Sequence, residues 1–353
     1  MTTTHCATET LADLTERFPE FPSAEQAPKP VHDDRKLWTL FVDKEMTALM
    51  PADEYSRAKA VTTYFFRAVD QLKTRQMESV GALLRQGVEA LQTLTHPYAH
   101  LYARQFQLSA DALYAYKEGR YDLAFAQTVE CVGLNDYLVR LGCPSMLFRS
   151  LEQNINLCLV YSRQGNVAAE RRMLNGLIRY LLLGETDSAL FGTAFADSVP
   201  QLRSGYLAFV AEGCLKTYVA TAAGMLIRTA GANPEAEAGH FEELLGNIGE
   251  FAAPSLERVV LYNWLYLKRV YFRGAFDQFA QEVAEFLAEP YERRFDVLKF
   301  SLCQNLLFGL QSRSIRAPLL EARIQTYIHT KLSYKPGQSN FLLPGQTGQN
   351  QLA

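Results

Sequence analysis

The chain has 353 residues, of which 48% are hydrophobic and 21% charged, and 35 Lys and Arg stand against 38 Asp and Glu for a net charge of -3. That hydrophobic share is enough to bury a sizeable core and excludes a disordered chain. The charge balance provides no basic field of the kind that draws a protein onto nucleic acid or anionic lipid, so neither is expected as a partner.

The length exceeds what one core normally fills, and an elongated array that grows by adding layers fits better than two globular bodies. The first residues, Met1 to Thr10, show no basic stretch followed by an apolar run. A secretory signal and a transit peptide are therefore not expected, and a cytoplasmic protein is. No window reaches roughly 18 consecutive apolar residues free of charge, so no membrane span is expected. Six cysteines stand singly at Cys6, Cys131, Cys143, Cys158, Cys214 and Cys303. Five of them lie in apolar helical stretches, where a reduced, buried thiol is the expected state.

In chain order, residues 1–32 carry Pro19, Pro22, Pro28 and Pro30 among small and charged residues. This reads as an extended N-terminal arm, with Phe18 and Phe21 as its anchors. Residues 33–332 read as helix nearly throughout and show no alternating strand pattern, which makes the fold class all-α. One helix runs from near Asp33 to Leu49. The next begins at Pro51, whose fixed backbone angle suits a first turn, and extends to about Lys73. From Met77 to Leu94 the apolar residues Val80, Leu83, Leu84, Val88 and Leu91 share one helical face. A further helix starts at Pro97 and ends at Gly119, and its partner runs from Tyr121 to about Leu141. Long helices alternating with short turns form stacked antiparallel hairpins. The last stretch, 333–353, is rich in Gly and Gln and holds Pro336 and Pro344, a composition expected to leave a flexible tail.

The turns carry the most information. Gly119-Arg-Tyr121-Asp-Leu-Ala124 follows one helix and opens another. Tyr161 and Gly165 repeat the arrangement, with Leu157 and Cys158 at the large and small positions before them, and Gly274 with Phe276 gives a weaker third copy. This Gly-x-Tyr-x-x-Ala string resembles the hairpin turn of tetratricopeptide repeats. Glycine lets the chain leave the first helix, the aromatic plugs the gap between the helices, and the alanine allows close approach. Each copy departs from the pattern. Ala115 stands where an aromatic belongs, Glu170 and Phe279 replace the alanine, and Leu267 replaces a small residue. Gly119 and Gly165 lie 46 residues apart, against roughly 34 in the standard repeat. Over residues 55 to 310 the resemblance implies an α-solenoid, a right-handed superhelix of hairpins. A plain helical bundle with glycine turns is the competing architecture.

Motifs for chemistry are sparse. Asp33-Asp34 is followed by Arg35 and Lys36 in place of a third carboxylate, and so reads as a helix cap. Glu237-Ala-Gly-His240 is the single Glu-x-x-His, where a diiron bundle needs two. His96 and His100 are spaced i, i+4, but Pro97 between them puts His96 at a helix cap. No phosphate-binding loop, nucleophile elbow or dinucleotide fingerprint occurs. No metal and no cofactor is therefore expected. The resemblance implies a concave face that binds a peptide or protein, and counting back from the turns places Tyr116, Lys117, Asn156, Arg163, Lys268 and Tyr271 on it. The reading is a non-catalytic adaptor or scaffold. The alternative is an all-helical enzyme or small-molecule sensor with a pocket assembled from distant helices. The aromatic run Tyr262 to Phe272 suits either burial between two layers or a partner face.

Overall fold

The computed structural model describes residues 2–23, 26, 34–73, 77–183, 239, 241–244 and 256–333. The Glu237–His240 motif, Cys214 and the tail beyond 333 lie outside the described residues. Every regular element among those described is a helix, and none of these helices is long and apolar enough to cross a membrane. The chain forms two compact units, one of residues 33–214 and the other of residues 1–32 with 215–353. The single body expected over 33–332 is thus divided, and the N-terminal segment belongs with the C-terminal part of the chain.

In the unit of 33–214 the helices are α2 (Asp34–Leu49), α3 (Ala52–Lys73), α4 (Met77–Leu91), α5 (Pro97–Lys117), α6 (Tyr121–Arg140), α7 (Leu147–Arg163) and α8 (Val167–Leu183). α3 packs on α4 and α5, α5 on α6, α6 on α7, and α7 on α8. The core takes Val42, Met46, Phe65, Leu72, Val80, Leu84, Tyr102, Phe106 and Leu138, among others, from α2 to α6. The face expected on α4 is the buried one, with Val88 at its edge. Gly87 is also buried there, and a Cβ on it would collide with the Phe65 ring. Its missing side chain is what lets α3 and α4 approach.

The turns form by a shared device. Gly119, Gly165 and Gly274 have φ of +77°, +71° and +81°, a region L-residues enter only with strain. At the first two, the amide after the glycine reaches back to close the helix, Arg120 N–H donating to Ala115 O (2.9 Å) and Asn166 N–H to Tyr161 O (2.9 Å). This is the Schellman arrangement, which satisfies carbonyls that the helix end leaves free. Asn166 then caps α8, its Oδ1 accepting from the Ala169 N–H at 3.2 Å. Tyr121 packs edge-on against Tyr116 with centroids 5.7 Å apart. Ala124 is buried with Ala115 and Val160.

The other unit contains α1 (Thr2–Arg17), α9 (Leu256–Phe272), α10 (Phe276–Ala288), α11 (Asp296–Ser312) and α12 (Pro318–Thr330). Residues 2–17 are therefore helical, which corrects the extended arm expected over 1–32. The prolines that suggested extension begin only at Pro19, after the helix has ended. The expected anchors do hold, since Phe18 and Phe21 are both buried. Phe276 follows Gly274 and packs into a notch at Gly309 on α11, where a Cβ would clash with its ring. A fourth turn, between α11 and α12, has Ser314 at φ +54°, with Ile315 N–H donating to Leu310 O (3.0 Å). Its backbone takes the same form without a glycine.

Candidate functional site

α6 packs against both α5 and α7, and side chains join α5 to α7 directly. Arg149 Nε donates to Gln105 Oε1 (3.4 Å), Gln153 Nε2 to Ser109 Oγ (3.1 Å), and Arg163 Nε to the Tyr116 hydroxyl (3.0 Å). Residues 105, 109 and 116 ascend α5 as 149, 153 and 163 ascend α7, so the two helices run in the same direction. The steps from 105 to 109 and from 149 to 153 keep those pairs on one face, and the Arg163–Tyr116 bond joins the same two helices nearer their C-termini. The result is a polar seam along two neighbouring first helices of hairpins.

Further groups extend the seam. Asn156 Nδ2 donates to Gln153 Oε1 (3.1 Å). Arg104 donates to Gln107 Oε1 (2.7 Å) and to Glu130 on α6 (3.1 Å), and Gln107 donates in turn to Asp111 (3.1 Å). Burial raises the Asp111 carboxyl, opposed by Gln107 and Arg104. The Arg149 guanidinium lies 4.8 Å from the Phe106 ring centroid and pairs with Glu152.

Gln105 and Gln153 of the seam are themselves buried, and beneath them lie further buried polar groups. Ser150 Oγ donates to Asp136 Oδ1 (2.7 Å), and desolvation pushes Asp136 up to about 6 against the Ser150 bond and the Arg140 charge. Asn154 Nδ2 donates to Ser150 O (2.9 Å), and Cys131 Sγ donates to Gln105 O (3.1 Å). One amide atom each of Gln105, Asn135 and Asn154 is buried without a hydrogen-bond partner. Burial pushes the Cys131 and Cys143 thiols up to about 12 and raises Cys158. These are neutral thiols, the opposite of activated nucleophiles.

Of the residues expected on a binding face, Tyr116, Asn156 and Arg163 are half-buried on this seam, and Lys117 is half-buried at the end of α5. The structure brings Tyr116 and Arg163 into contact, and the Tyr116 hydroxyl further favours the guanidinium cation. Lys268 and Tyr271 are corrected. Lys268 is 2% exposed, with Nζ bonded to Asn305 Oδ1 and near Ser301 O, and desolvation pushes it down to about 7. Tyr271 is 8% exposed and lies between Phe272 and Phe279, with centroids 5.1 Å away on each side. Counting from Gly274 failed because α9 is covered on several faces, so helical phase no longer separates inside from outside. The aromatic run there is largely buried, with Trp264 donating to Ser301 Oγ at 2.8 Å. Tyr262 stays exposed.

Sequence reasoning missed Gln105, Ser109, Arg149 and Gln153. Their signal was a pair of polar residues four apart in each of two helices otherwise rich in buried side chains. Among the described residues no three His, Cys, Asp or Glu side chains gather as a metal site would need. His96 occupies the N-cap of α5 without a side-chain capping bond. Amides, hydroxyls and guanidinium groups aligned along a helix pair match the hydrogen-bonding groups of a peptide. Comparison of the chain with known protein families, with curated proteins and with solved structures gives no match.

Proposed function

We propose that this protein is a non-catalytic binding module, an adaptor or scaffold that holds a peptide or protein segment along the α5–α7 seam. Its hairpins, in this reading, stack as a solenoid similar to tetratricopeptide arrays, with first helices lining the ligand face. The observation that supports it most is the row of bridges from Gln105–Arg149 through Ser109–Gln153 to Tyr116–Arg163. The half-buried members of the row, Ser109, Tyr116, Arg149 and Arg163, offer donors and acceptors at intervals, and tyrosine adds rigid contact area at low entropic cost. Cytoplasmic residence belongs to the same reading, supported by the free, buried thiols of Cys131, Cys143, Cys158 and Cys303. The enzyme alternative draws least on Lys268, whose depressed pKa comes from closure between helices.

A displayed library of random peptides selected on the full chain tests this reading. Selected peptides should lose roughly tenfold or more in affinity on Arg163→Ala or Asn156→Ala, the size of a lost charge-assisted or partly buried hydrogen bond. Far-ultraviolet circular dichroism should remain unchanged. Failure to select any peptide, or equal binding by both variants, would sink the reading.

A further inference from the structure

The N-terminal segment sits on the C-terminal unit as a bound helix would. From residue 10 to 21 its buried residues are Leu11, Leu14, Phe18 and Phe21, while Ala12, Asp13, Glu16, Pro19 and Glu20 are exposed. That spacing is one apolar stripe, the pattern by which an amphipathic helix lays anchors into a groove. The groove is formed by α10 and α12, on which α1 packs. Phe18 and Phe21 stand edge-on to Tyr327, with centroids 5.7 and 5.9 Å away, and 5.0 Å from each other.

α12 also holds the backbone of the segment. Arg323 donates to Thr15 O, and Lys331 Nζ lies 3.5 Å from Pro19 O. These carbonyls belong to the end of a helix, where a cation is favoured. The segment's own charges face outward, with Asp13, Glu16 and Glu20 exposed and Asp13 paired with Arg17 inside the segment. Nothing in these contacts depends on the segment belonging to the same chain. What is recognised is the anchor spacing and the helix-end carbonyls. At the centre of the groove the Tyr327 hydroxyl is buried without a hydrogen-bond partner, so residues 10–21 leave one polar group of their seat unsatisfied.

We propose that the α10–α12 face is a docking groove for an amphipathic helix ending in an aromatic-x-x-aromatic turn. Residues 10–21 are its intramolecular occupant, displaced when a helix of the same spacing competes. The occupant lowers the groove's apparent affinity for any competitor by the fraction of time that the groove stands empty.

The test uses the full chain and a fluorescent peptide of residues 8–23. Phe18→Ala with Phe21→Ala removes both aromatic anchors and should raise affinity for the peptide by roughly tenfold or more over the wild type. A peptide carrying the same two alanines should bind neither protein. A folded double variant that fails to bind the unmodified peptide overturns the proposal. Should that variant fail to fold, the wild type decides the matter by hydrogen exchange. Excess peptide should speed exchange at the amides of residues 11–21, and unchanged protection overturns the groove as a site of exchange. A dimer of the wild type that excess peptide does not dissolve would equally overturn it.

Discussion

The two units bury polar groups between their helices with opposite chemistry. Beneath the α5–α7 seam lie amides, hydroxyls and one carboxyl, with Asp136 satisfied by Ser150. Between α9, α10 and α11 lie two ammonium groups, with the Asp296 carboxyl buried on α11 and bonded to Ser333. Lys268 is held by Asn305 Oδ1, and Lys299 by the carbonyls of Leu287 (2.9 Å) and Glu289. Amides need partners but carry no charge, so a seam of them tolerates an unfilled valence, as at Gln105 and Asn154. A buried ammonium has no such latitude. It needs acceptors or it loses its proton, and desolvation pushes Lys268 down to about 7 and Lys299 to about 8.

The largest effect expected from this contrast is at Asn305. Asn305→Leu leaves the Lys268 ammonium in the core without its main acceptor and should cost about 3 kcal/mol at neutral pH. Lys268→Met replaces the ion with a chain of similar volume and should be neutral or stabilising, and should rescue Asn305→Leu. The pH dependence has a definite sign. The folded pKa of Lys268, about 7, lies below its ordinary value of 10.5, so between these the folded state binds fewer protons than the unfolded one. The penalty is full below pH 7 and fades as pH rises toward 10.5, by up to about 1.4 kcal/mol per pH unit. Raised thiols such as Cys303 act in the reverse direction above pH 9. The difference between wild type and Lys268→Met in urea unfolding at pH 7 and 9 therefore isolates the lysine. A constant difference would show that Lys268 is not desolvated as described.

A second contrast should vanish on testing, because both units use one packing device. Gly87 receives the Phe65 ring and Gly309 the Phe276 ring. Gly87→Ala and Gly309→Ala should each cost about 1–3 kcal/mol through overpacking. Phe65→Leu and Phe276→Leu should each reduce the penalty of the matching alanine in a double-mutant cycle. Additive effects would mean that ring and glycine do not meet.

Asp136 supplies the mirror of Lys268. Its folded pKa, about 6, exceeds its ordinary 3.8, so the folded state binds more protons between these values. Its stabilising contribution is complete below pH 4 and is lost as pH rises through 6. Asp136→Asn should remove that loss. Relative to the variant, the wild type should gain about 1–2 kcal/mol between pH 7 and pH 4, read by guanidinium unfolding. Equal slopes for the two proteins would contradict a desolvated carboxyl beside Ser150.

The sequence carried the helices of residues 34–141 almost to the residue, because Pro51, Pro97 and Gly119 punctuate long apolar periodicities. It also carried the turn glycines, since a positive φ is written in the residue type itself. It could not carry the division into units. The N-terminal segment joins helices some 300 residues later, as the Arg323–Thr15 contact shows, and no local pattern announces such a partner. The helix at Thr2–Arg17 was obscured by the prolines after it, although Leu11, Leu14, Phe18 and Phe21 already spelled a helical stripe. Tyr116, Asn156 and Arg163, three of the residues expected on a binding face, take part in the hydrogen bonds of the seam. Lys268 and Tyr271 were misplaced because an amphipathic count cannot describe a helix buried on several sides.

The smallest expected effect concerns the turn that lacks its glycine. Ser314 has φ +54°, where a Cβ crowds the following carbonyl and costs about 1–2 kcal/mol. Ser314→Gly relieves that strain but also frees the unfolded chain, at roughly 0.5–1 kcal/mol. The net expected gain is therefore small, up to about 1 kcal/mol. Gly119→Ser makes the opposite change at the turn between α5 and α6, where φ is +77°, and should lose a similar amount. No atom lies within 4 Å of a Cβ placed on Gly119, so strain in the backbone is the whole of the penalty and crowding adds nothing. Serine is the better substitute than alanine here, because it equalises the two turns in side chain as well as in backbone. Thermal unfolding should thus move by a few degrees upward for Ser314→Gly and downward for Gly119→Ser. Shifts of the same sign would show that the two turns, alike in φ and in their closing hydrogen bonds, are not held by the same balance of strain and entropy.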